Sequence, residues 1–175
     1  MSRSDRLLLA YHHIHRTKHI AINGNATTVT SNLFVLTGLV RVVFLGGIVE
    51  TATLGSNVTD CWFDLFPTAG ASVALTGVTT PAPAMSNFEV GSAIIKAREA
   101  VEDATILRAN VAMFLEEDAD YKKPFKSFIV GKDSDAVTQI RFIYTTTADL
   151  QAETGEIHFE VIYEPITTGS KLVPA

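Results

Sequence analysis

The sequence predicts an all-β fold: a β-sandwich or jelly-roll-like barrel preceded by an N-terminal arm. Three observations lead there. Threonine fills 20 of 175 positions and valine is also frequent, and both are β-branched residues that favour strands. Short apolar runs alternate with Gly, Asn, Thr-Gly and Pro punctuation at strand-like spacing. Nowhere does a strand-like run alternate regularly with a long helical one, which argues against a parallel α/β sheet. No repeat of 20–50 residues is visible, so a propeller or solenoid is not expected.

Residues 1–20 differ in kind from the rest. They hold Arg3, Arg6, Arg16 and Lys18 against Asp5, together with His12, His13, His15 and His19. This segment reads as a basic, histidine-containing contact arm. The strand domain is expected over 21–166, and a tail over 167–175.

Within the domain, Thr27–Thr37 reads as a strand ending at Thr37-Gly38. Leu39–Leu45 is the next, and Gly46-Gly47 between two apolar runs is a two-residue hairpin signal, because such turns need positive φ. Ile48–Leu54 would then be the return strand. Val58–Phe66 follows and stops at Pro67, and Val73–Thr79 is a shorter strand before Pro81-Ala82-Pro83. Ala93–Asp103 fits a helix by its alanines and a strand by Ile95, Ala97 and Val101; the strand is preferred. Thr105–Leu115 alternates cleanly, with Leu107, Ala109, Val111, Met113 and Leu115 on one face. After the charged loop Glu116–Lys123 come Phe125–Val130, a turn at Gly131–Asp135, and strands at Val137–Thr146 and Glu156–Tyr163. Eight to ten strands result.

Composition narrows the function classes. Hydrophobic residues make up 47% and charged residues only 19%, which excludes a disordered chain. A net charge of -5 argues against nucleic-acid binding by bulk charge. Residues 21–40 lack charge but are too rich in Asn, Thr and Ser for a membrane span, and no export signal is expected. Cys61 stands alone, so neither an internal disulfide nor a thiolate metal cluster can form, and its apolar neighbours suit a core position.

Motifs for catalysis are sparse. No Gly-x-Ser-x-Gly elbow and no phosphate-binding glycine loop is present. His12, His15 and His19 would share one face of a helix, and the i, i+4 spacing of His15 and His19 is one that zinc sites use. Arg16 and Lys18 in the same stretch would repel a cation, so neither a metal nor another cofactor is expected. Glu116–Asp120 and Asp133-Ser134-Asp135 lack the spacing of a calcium loop. In Glu156–Val161, alternation sets Glu156, His158 and Glu160 on one face, a solvent- or subunit-facing row. Paired carboxylates, Glu156 and Glu160 for instance, could occur in any β-sandwich, and nothing singles this pair out. Trp62 is the only tryptophan that could serve as a sugar-stacking platform, but its place in a strand with Phe63 and Phe66 favours a core role.

The charge is unevenly spread. Residues 21–95 carry only Arg41, Glu50, Asp60, Asp64 and Glu89. Small polar residues where a solvated sheet would carry charge suit a surface covered by another subunit. The expectation is a homo-oligomer, as a trimer, with Leu33, Val35, Val40, Val42 and Phe44 at its interface. Arg3, Arg6, Arg16, Lys18, His12, His15 and His19 would contact a partner.

The stretch Ser31-Asn32-Leu33-Phe34-Val35-Leu36-Thr37-Gly38-Leu39-Val40-Arg41-Val42 resembles small virion proteins of tailed bacteriophages, as does the ending Tyr163-Glu164-Pro165 followed by Gly169 and a small apolar tail. The resemblance covers about 31–66 and 140–175, and 88–135 departs from it. It implies a capsid-decorating (cement) protein, non-enzymatic, made in the host cytoplasm and located in the virion. Its partners would be itself and the major capsid protein or other virion proteins, with no nucleic acid and no membrane. A tail, baseplate or fibre-associated domain and a carbohydrate-binding β-sandwich are the alternatives.

Overall fold

A computed structural model describes residues 13–22, 28–51, 58–76, 90–96, 105–107, 127–133, 136–146 and 155–175. Eleven strands lie within them and no helix: β1 (Ile14–Ile22), β2 (Thr28–Thr37), β3 (Leu39–Thr51), β4 (Val58–Pro67), β5 (Val73–Ala74), β6 (Ala93–Ile95), β7 (Thr105–Leu107), β8 (Phe128–Gly131), β9 (Thr138–Thr146), β10 (Gly155–Pro165) and β11 (Lys171–Pro174). They form two antiparallel sheets. One is ordered β1-β10-β3-β6-β7, with β8 also pairing β3; the other is ordered β11-β2-β9-β4-β5. The two sheets pack face to face as a β-sandwich.

Alternation builds the core. On β10, Ile157, Phe159, Val161 and Tyr163 are fully buried, while the residues between them are half-exposed. From the other sheet, Phe34, Phe63, Phe142 and Tyr144 meet them. Phe142 lies 4.9 Å from Phe159 and 5.4 Å from Phe63, centroid to centroid, in tilted contacts. Such aromatic pairs add about 0.5–1.5 kcal/mol each beyond the area they bury.

The two sheets connect through a corner at Gly38, whose φ of 68° lies in the left-handed region. A Cβ there would also collide with Ser170, whose hydroxyl accepts a hydrogen bond from Leu39 N.

Three differences from the sequence reading have local causes. Gly46 and Gly47 are not a hairpin turn: β3 runs through them from Leu39 to Thr51. They are glycines because neighbouring rings occupy the space a side chain would need. A Cβ would lie 2.9 Å from Phe44 Cζ at Gly46 and 2.7 Å from Phe159 at Gly47. The segment 14–20, assigned to the arm, is instead most of β1, paired along its length with β10. The tail 167–175 contributes β11, which pairs with β2 from Lys171 opposite Thr37 to Pro174 opposite Phe34. In both cases backbone pairing won over a polar or short sequence.

Leu33, Val40 and Val42 are fully buried within this chain's own core, which corrects their assignment to a subunit interface. The reason is β-bulges that shift the alternation. The register slips between Asn32 and Phe34 on β2, so Leu33 and Phe34 are both buried. A second slip, between Ile162 and Tyr163 opposite β3, leaves Val42 inside and Phe44 half-exposed. Val35 is also half-exposed. The strand expected over 105–115 is described only at Thr105–Leu107, and the expected loop at 116–123 lies outside the described residues.

Candidate functional site

The outer face of the six-stranded sheet carries the densest chemistry. β1 turns Ile20 and Ile22 into the core, so His13, His15 and His19 take the outward phase with about half of each side chain exposed. β10 places Glu156, His158, Glu160, Ile162 and Glu164 beside them. The register sets His19 directly opposite His158, Thr17 opposite Glu160 and His15 opposite Ile162.

A ladder of alternating imidazoles and carboxylates follows. His13 Nε2 lies 2.9 Å from Glu164, which also takes Arg41 at 3.3 Å. His15 Nε2 lies 2.6 Å from Glu160. His19 Nδ1 lies 3.1 Å from Glu50 and 3.3 Å from Glu156, and His158 Nδ1 lies 3.1 Å from the other oxygen of Glu50. The His19 and His158 rings stand 4.2 Å apart, tilted by 31°. Exposed pairs of this kind contribute about 0–1 kcal/mol each to stability. Their larger consequence is a surface of fixed, alternating polarity.

Next to the ladder lies an apolar groove of about 180 Å³, lined by Phe44, Gly46, Gly47, Ile48, Ala93, Ile95, His158 and Glu160. The two glycines leave its floor bare, and Ile48 stands on its rim with 51% exposure. Pockets for small-molecule ligands span roughly 300–1,000 Å³. This groove suits one or two side chains of a protein partner better than a small-molecule substrate.

The other expected contact residues scatter. Arg16 is exposed and donates to its neighbour's carbonyl, His15 O, at 2.9 Å. Lys18 Nζ donates to Ala175 O, tying β1 across the sandwich edge to the C-terminus. Both take the opposite phase of β1 from the histidines. Arg3, Arg6 and His12 lie outside the described residues. The helical grouping of His15 with His19 does not form, because β1 is a strand. Four residues span about 13 Å there, so His15 and His19 cannot share one ion.

The same spacing separates Glu156 from Glu160 on β10. Their Cα atoms are thus about 13 Å apart, and the carboxylates engage different histidines, Glu156 with His19 and Glu160 with His15, rather than facing each other as a glycoside-hydrolase pair does. Cys61 is fully buried, and desolvation, with a smaller contribution from Asp60, raises its thiol to about 12. A thiol so placed is no nucleophile at neutral pH.

On the outer face of the other sheet, Arg141 pairs with Asp64 through two charge-assisted hydrogen bonds, one of 2.8 Å. The same guanidinium stacks on Phe66 at 3.8 Å. Asp64 is 4% exposed and Arg141 15%, so this is a structural pair sealed from solvent. Trp62, between core residues Cys61 and Phe63, is half-buried rather than presented as a platform.

Sequence reasoning found the Glu156–Glu160 row through its alternation and missed Glu50, which lies 106 positions before Glu156. No helix among the described residues is long and apolar enough to cross a membrane. No family model, no curated protein and no solved structure matches this chain.

Proposed function

We propose that this chain is a non-enzymatic structural component of a tailed-phage virion: an oligomeric capsid-decoration protein that binds its neighbours through the outer face of the six-stranded sheet. The observation that carries this reading is the apolar groove with Ile48 exposed on its rim, flanked by the histidine–carboxylate ladder. Apolar surface beside ordered polar pairs is the make-up of a protein interface, with an apolar centre and a polar rim. Among the described residues no acid, base and nucleophile converge. The two segments that resemble virion proteins, 31–66 and 140–175, supply all of β3, β10 and β11 and most of β2, β4 and β9. The resemblance thus follows the paired frame of both sheets rather than one loop.

Light scattering on the purified chain, followed by co-sedimentation with assembled phage heads, tests this. The expected result is a trimer that sediments with heads. Ile48, half-exposed in the single chain, has about 0.8–1.5 kcal/mol of apolar burial left to gain on assembly; Ile48→Lys places a charge there instead and should shift the trimer towards monomer. A wild-type monomer at micromolar concentration refutes the oligomer. Antibody labelling of tails instead of heads on intact virions favours the tail or baseplate reading.

A further inference from the structure

The geometry points to a divalent transition-metal site at His19, His158 and Glu50. It does not depend on the proposed function. The donor atoms of His19, Glu50 and His158 lie within 4.8 Å of one another and come from three adjacent strands, β1, β3 and β10. Glu50 faces both rings, one oxygen 3.1 Å from each Nδ1, and Glu156 lies 3.3 Å from His19 Nδ1. Ligands about 2.0–2.1 Å from a tetrahedral zinc ion stand roughly 3.3 Å from one another; the two Glu50–imidazole separations match such edges, and the donor set as a whole, within 4.8 Å, needs only side-chain adjustment to close on an ion.

The fold builds this convergence deliberately. The register slips between Glu156 and Ile157: Glu156 pairs with Thr51 and Ile157 with Val49, which leaves Glu50 as the extra residue of a bulge. Bulges re-aim side chains, and here the bulge carries the carboxylate into the gap between two cross-strand histidines. His158 Nε2 is shielded from solvent and has no hydrogen-bond partner, so Nδ1 is the only nitrogen by which this ring is anchored. Arg16 and Lys18, which argued against a cation in the sequence, take the opposite phase of β1, and Lys18 is engaged with Ala175.

Two imidazoles with a carboxylate form a nitrogen–oxygen set that suits Zn²⁺ or Co²⁺ rather than Ca²⁺ or Mg²⁺, which prefer oxygen alone. Without metal, an Nδ1–H of each ring can donate to Glu50; a metal at Nδ1 displaces that proton, to solvent if the ring is an imidazolium and to Nε2 if it is neutral. With its three protein ligands drawn from three adjacent strands, a bound ion would be a staple that fastens edge strand β1 to β10 and β3.

Calorimetric titration with Zn²⁺ and the absorption spectrum of Co²⁺, both on the full chain, test the site. Saturable one-to-one binding is expected. Glu50→Gln and His158→Gln should each weaken it more than tenfold, and His15→Gln, on the same ladder outside the cluster, should leave it intact. Zn²⁺ at a hundredfold excess over Kd should raise the unfolding midpoint of the wild type by about 5–10 °C. Glu50 is exposed, and the metal-free unfolding midpoint of Glu50→Gln checks that its fold is unchanged. No saturable uptake by the wild type at millimolar Zn²⁺ overturns the inference, as does uptake that Glu50→Gln leaves unchanged.

Discussion

Gly47 lies in the middle of β3, directly opposite Phe159 on β10, and Gly47→Ala tests why a glycine is there. A methyl group at this position would sit 2.7 Å from Phe159 Cδ1 and Cε1 and 2.9 Å from Ile157 Cγ2. Carbon atoms rest about 3.5–4.0 Å apart, so the ring would have to retreat by about 0.8 Å or more. It has little room. Phe159 is fully buried, with Phe142 4.9 Å away on one side and Phe63 5.9 Å away edge-on. Overpacking of this kind costs about 1–3 kcal/mol, and the interlocked rings put this case near the top of that range. Alanine restricts the unfolded chain more than glycine, which offsets about 0.4–1 kcal/mol. The net loss is about 2 kcal/mol, or a fall of about 4–8 °C in Tm for a chain of this size. Urea unfolding followed by circular dichroism measures it. Phe159→Leu in the same chain should relieve the clash, so the double variant should be more stable than the sum of the single effects by at least about 0.5 kcal/mol. A Gly47→Ala chain as stable as the wild type, or additive behaviour with Phe159→Leu, would refute the close-packing explanation.

Two further outcomes follow from buried groups. Asp64→Ala leaves the Arg141 guanidinium unpaired and mostly enclosed, at a cost of about 2–4 kcal/mol after allowance for its partial exposure; the double variant Asp64→Leu/Arg141→Met should recover most of that in the same urea assay, and a single variant within about 0.5 kcal/mol of wild type would contradict the pairing argument. Cys61 should resist a thiol reagent in the folded chain and react once unfolded; because burial holds its folded pKa above the unfolded value, its contribution to stability is intact below pH 9 and declines as pH rises from there towards about 12, and rapid labelling of native protein at neutral pH would contradict its burial.

The fold class was legible because alternation survives translation into structure wherever a strand is regular. Glu156–Tyr163 and Val137–Thr146 read as strands and became β10 and β9, and on β10 the expected Ile157, Phe159 and Val161 lie inside. Where the ladder is bulged the reading slipped by one residue. Leu33, Val40 and Val42 appeared to offer a face to a partner, but register shifts turn them into the core. Gly46-Gly47 has the composition of a turn, and nothing local distinguishes a glycine that bends the chain from one that makes room for a ring on the next strand.

The candidate site shows the same division. Taken alone, the sequence determined an all-β chain with few charges between residues 21 and 95, a histidine-rich start and one outward row at Glu156, His158 and Glu160. These follow from composition and period-2 patterning, which are local properties. Only the tertiary structure decided that β1 joins the sheet at its edge, that His19 stands opposite His158, and that Glu50 enters between them. The physical reason is that strand pairing brings together residues more than a hundred positions apart, and register, which a single bulge shifts, decides which of them meet.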